Sequence, residues 1–64
     1  MRSLLNPRIC DAGITKRELA RRVGVSEDTV GRWARDDGIE KATLGKLGRV
    51  AEALDCGICD LFDE

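Results

Sequence analysis

Apolar residues recur along this chain at intervals of three and four, and no window alternates with period two for long enough to make a strand. Leu5 and Ile9 form the first inward pair, on a helix that Asn6 would cap with Pro7 at its first position, where a missing N–H costs no hydrogen bond. Gly13 supplies a left-handed stop. Thr15 and Glu18 have the spacing of a capping box, each able to satisfy an orphan backbone donor of the other, ahead of Leu19, Ala20 and Val23 on the inward side of a second helix ending at Gly24. Gly24, Val25 and Ser26 then lead into a third helix, about 26–35, which Ser26 caps. Its first turn carries Glu27 and Asp28, favoured there by the helix dipole, and Val30 and Trp33 point inward. Asp36 to Lys41 has no helical stripe and reads as a loop. From about Thr43, Leu44, Leu47, Val50, Ala51 and Leu54 fall on one stripe and predict a fourth helix. Its Gly45 and Gly48 lie off that stripe, each costing about 1 kcal/mol against Ala in a helix interior. Gly57 ends it, and Ile58, Leu61 and Phe62 make a last apolar turn. The expected fold class is all-α.

Length and composition narrow the possible functions. Sixty-four residues allow one small domain, 1–64, with a thin core. The longest apolar run is two residues, against the ~20 of a membrane span, and the first residues lack the apolar stretch of a signal peptide. A cytoplasmic protein with no membrane partner is expected. Three cysteines are an odd number for a disulfide-held secreted domain, so they read as reduced thiols. With no His and no Tyr, the chain lacks the usual general base near pH 7 and the usual parts of a nucleophilic triad, so no enzyme is expected. The pair Cys56 and Cys59 has metal-like and redox-like spacing. Three Cys without His fall short of four zinc ligands, and a redox pair of this spacing belongs in a βαβ setting. Neither metal nor cofactor is expected.

The formal charge of −1 conceals a division. Residues 1–35 hold eight Lys and Arg against four acids, and residues 36–64 hold three against eight. A near-neutral total therefore leaves room for a polyanion at the basic end, although charge runs are also ordinary solvated faces.

A helix, a Gly-centred turn and a second helix can set that second helix in a DNA major groove while the first lies across the backbone. Here Ala20 stands four before Gly24, Val30 six after it and Trp33 nine after it. These are a small residue where helices cross, a glycine for positive φ, and apolar groups beneath the second helix. Thr15 to Gly38, TKRELARRVGVSEDTVGRWARDDG, resembles the helix-turn-helix core of the lambda-repressor-like (Xre-type) family of bacterial and phage regulators, and the similarity continues through Leu44 to Phe62. The resemblance implies a compact five-helix domain that binds operator DNA, often as a homodimer on a palindrome, to regulate transcription. It places Glu27, Asp28, Thr29 and Arg32 on the groove-facing side, and Lys16 and Arg35 at phosphates; Arg17 joins the phosphate contacts by its place beside Lys16. Part of this agrees with the chemistry: Arg can bond guanine O6 and N7 together, Thr can meet a base or a thymine methyl, and a carboxylate can accept from cytosine N4. Amides are frequent in that family where this chain has Glu27 and Asp28, which would also stabilise the first helical turn without DNA. Trp33, Leu19, Val23 and Val30 read as core. Arg17, Arg21 and Arg22 form a cluster that is either solvated or, beside Lys16, turned to DNA. A different class of function is a helix-turn-helix used for protein contact, antitoxin-like or as an accessory regulator, through the recognition face or the acidic stretch Asp55 to Glu64.

Overall fold

The computed structural model describes residues 1–63. Its elements in chain order are β1 (Arg2–Ser3), α1 (Leu5–Ala12), α2 (Lys16–Val23), α3 (Glu27–Trp33), α4 (Asp36–Ile39), α5 (Leu44–Ala53), a 3-10 turn (Ile58–Asp60) and β2 (Phe62–Asp63). Three helices start on the hydroxyls the sequence singles out or places at their heads. Thr15, Ser26 and Thr43 accept the backbone N–H of Glu18, Thr29 and Lys46 at 3.1, 3.2 and 3.3 Å. Gly13 and Gly24 close α1 and α2 in the left-handed region, at φ of 71° and 86°. The apolar stripes meet in one cluster, with Leu19, Val30, Val50 and Leu61 wholly buried around Trp33.

Several expectations are corrected. Helix α1 begins at Leu5, and Asn6 does not cap it: Leu4 stands at the cap with no side-chain bond. The reason is tertiary, since Leu5 is buried and the Leu4 N–H donates to the Leu61 carbonyl at 2.9 Å, which fixes where the helix starts. Pro7 becomes the third helical residue, still among those whose N–H has no partner within the helix. The capping box is only half formed, because the Glu18 carboxylate binds Arg21 instead of returning to Thr15. The expected loop at Asp36–Lys41 contains α4, a single turn that buries Ile39, too short to show a stripe. The third helix stops at Trp33, so Arg35 lies beyond it as the extended N-cap of α4. Leu44 is not inward but 73% exposed, because as the first residue of α5 it precedes the point where that stripe reaches the core at Leu47.

The last apolar turn is a 3-10 turn, and Phe62 belongs to a strand. β1 and β2 pair antiparallel, Arg2 with Asp63 and Ser3 with Phe62. Two residues per strand cannot display a period of two, so this ribbon has no sequence signature. The described residues thus hold five α-helices, the fourth being α4. Glu64, the end of the acidic stretch, lies outside the described residues.

Candidate nucleic-acid interface

The α2–turn–α3 unit is fixed by its apolar side. Ala20 and Val23 from α2 and Val30 and Trp33 from α3 are buried, and the Ala20 carbonyl accepts the N–H groups of both Gly24 and Val25, at 2.8 and 3.0 Å. With Val30 and Trp33 committed to the core, a helix turning about 100° per residue must present Asp28 and Arg32 on its opposite side, with Glu27 and Thr29 on the two flanks. Glu27, Asp28 and Arg32 are exposed. Thr29 is half-buried, its hydroxyl 2.8 Å from that of Ser26. Lys16, half-buried, and Arg17, exposed, occupy the first turn of α2.

The ion pairs sort the cations. Among the described residues Lys16, Arg17 and Arg32 have no carboxylate within salt-bridge distance. Arg21 and Arg22 share Glu18, at 2.8 and 3.8 Å, and the hydrogen bond from Arg21 holds the Glu18 carboxyl below its ordinary range. Of the α2 arginine cluster, Arg17 therefore has the freest charge. Arg35 is 3.4 Å from Asp37, whose carboxyl it holds down through that hydrogen bond and its charge. Both are well exposed, and such pairs are weak in water. Arg35 can release Asp37 but starts out partly neutralised.

The far end of α3 is held by residues the sequence reading passed over. The Ser3 hydroxyl donates to the Trp33 carbonyl at 2.7 Å, filling one of the acceptors a helix leaves open at its C-terminus, and the Ser3 N–H donates to Asp36 Oδ1 at 2.7 Å. Gly38 packs on the same turn: a Cβ there would lie 2.6 Å from the carbonyl carbon of Arg32. Ser3 sits 30 residues from its partner, and no local pattern could have exposed it. Gly38 was visible only as a break in periodicity.

Cys10 and Cys59 are exposed and Cys56 is half-buried, all as free thiols. Burial, with Asp60 adding to it, pushes the Cys56 thiol up and keeps it protonated. Among the described residues no three side chains of His, Cys, Asp or Glu gather as metal ligands.

A family model for the Cro/C1-type HTH DNA-binding domain matches residues 5–63. No curated protein and no solved structure matches the chain.

Proposed function

The chain belongs to the Cro/C1-type helix-turn-helix DNA-binding family, and from that premise we propose that it is a small transcriptional regulator that reads duplex sequence with α3 in the major groove. The observation that carries this reading is the division of α3: Val30 and Trp33 are buried, while Glu27, Asp28 and Arg32 stand exposed on a helix fixed at both ends. Arg32 would take guanine O6 and N7, Asp28 and Glu27 cytosine N4, and the Thr29 hydroxyl or methyl the edge of a neighbouring base. Lys16, Arg17 and Arg35 would anchor phosphates and supply most of the affinity.

Seven residues of α3 extend about 10 Å, or roughly three base-pair steps. So short a reading head specifies little alone, and the proposal includes a second copy on a palindromic site. A specific observation keeps a rival alive. Among the described residues Glu27 and Asp28 have no cationic partner, which suits a basic protein surface as well as cytosine. Selection from a random duplex library, followed by a salt titration of the best sequence, separates the two. With four to six phosphates neutralised, log affinity should fall against log salt with a slope of about 0.9 per phosphate. Absence of any selected sequence, or binding indifferent to salt, would leave protein contact as the reading.

A further inference from the structure

Gly31 lies in the body of α3, two residues before its end. Nothing in the free protein explains a glycine at that position. Its backbone φ is not positive, and a Cβ built on it would have no atom within 4 Å. The two other glycines that lie in open space without a helical interior role are accounted for: Gly13 and Gly24 carry left-handed φ. Gly38 is excluded from bearing a side chain by the Arg32 backbone, and Gly48 is in ordinary contact with Ile58. Gly45 is also open, but it is the second residue of α5, in a first turn and not a helix interior. Gly31 thus lowers the stability of the shortest helix in the helix-turn-helix unit without serving its packing.

Its place on the helix is specific. Gly31 follows Asp28 by three residues and precedes Arg32, so it shares their outward side, away from Val30 and Trp33. The result is a notch in which half-buried backbone, with open space where a Cβ would stand, is flanked by the side chains assigned above to bases.

We propose that Gly31 sets how deeply α3 enters the groove, by letting a base edge come into van der Waals contact with the helix backbone where a Cβ, standing off by about 1.5 Å, would hold it away. Gly31 is in this sense a specificity-determining residue: the notch accepts the C5-methyl of a thymine or a bare pyrimidine edge, while Asp28 and Arg32 beside it make their polar contacts. The inference rests on the groove-reading function proposed above.

Gly31→Ala separates this from any structural role. In the free protein the substitution should stabilise α3 and raise Tm by a few degrees, since it removes backbone freedom from the unfolded chain and meets no clash. Affinity for the duplex selected by the unsubstituted protein should nevertheless fall about tenfold or more, on the scale of one lost base contact. Replacing thymine by uracil at each selected position then tells methyl from bare edge: a loss confined to one position, seen with Gly31 and absent with Ala, identifies the methyl as the occupant, and no such loss identifies the bare edge. Undiminished affinity in Gly31→Ala overturns the proposal while leaving groove reading intact, and a lowered Tm overturns it by giving the glycine a role in the fold. Failure of the unsubstituted protein to select any duplex removes the groove-reading function itself, and the proposal with it.

Discussion

At the scale of the residue, position on α3 predicts the kind of loss each substitution causes. Arg32 is exposed, opposite Val30 and Trp33, and unpaired among the described residues, so Arg32→Ala should cost about 1–3 kcal/mol of binding and relax preference at one base pair. Lys16→Ala should instead weaken all duplexes about equally and lower the salt slope by about 1. Repeating the library selection with each variant checks the contrast, and an unchanged motif for Arg32→Ala would remove its assignment to a base. Of the phosphate anchors proposed, Arg35 is the one with a competitor, so Asp37→Asn should raise affinity for all sequences alike in a direct titration. Gly38→Ala should lower stability by about 1–3 kcal/mol in a denaturant melt, because its Cβ meets the Arg32 backbone and cannot be relieved by a rotamer. The sequence puts Gly31 in an expected helix and Gly38 in an expected loop, which would make Gly38 the easier to replace. Only the neighbour that each one has, or lacks, gives the same replacement opposite signs.

At the scale of the element, what could be read from the chain is what the chain decides locally. Thr15, Ser26 and Thr43 bond N–H groups three residues on, and Gly13 and Gly24 adopt the left-handed conformation their positions call for, so the starts of α2, α3 and α5 and the ends of α1 and α2 were legible in short windows. The other ends were not: α3 stops at Trp33, short of Arg35, and α5 stops at Ala53, well before Gly57, with Asp55 taking the positive φ. The start of α1 was not, because a carbonyl at Leu61 fixes it. Neither was α4, a single turn in which Ile39 is the one buried residue. Helix α2 also carries a pH-dependent increment. The Arg21 hydrogen bond lowers the folded-state pKa of Glu18 below its ordinary 4.5, so the folded protein binds fewer protons than the unfolded chain as the carboxylate titrates. The stabilisation is complete above that value and disappears as pH falls through the lowered one. Thermal melts of the protein and of Glu18→Gln should therefore differ at neutral pH and converge in acid. A gap independent of pH would mean that the carboxylate charge plays no part. Because Arg21 is exposed and Glu18 only half-buried, salt should narrow the gap as well.

At the scale of the whole molecule, basic and acidic residues divide between the two halves of the sequence, yet the fold sews those halves together. Arg8 Nε donates to the Asp60 carbonyl at 3.0 Å, Leu4 to Leu61, and β1 pairs with β2. The candidate face on α3 was legible because it is one helix with one buried side. Its closure by Ser3 was not, because that contact exists only once β1 lies against β2. The ribbon's ends are poorly shielded, with the Arg2 and Asp63 side chains exposed and 3.8 Å apart, so the ribbon is expected to open without the core. Each such opening also withdraws the Ser3 hydroxyl from the Trp33 carbonyl and its N–H from Asp36. Amide exchange should register this as a shared rhythm: the last turn of α3 and the start of α4 exchanging at the ribbon's rate, with Leu19 and Val50 far slower. Ser3→Ala should quicken exchange at the end of α3 and leave Leu19 unchanged. A groove-reading α3, as proposed, would then be tuned by fluctuation as well as by contact, its far end firm only for the fraction of time that the ribbon is closed.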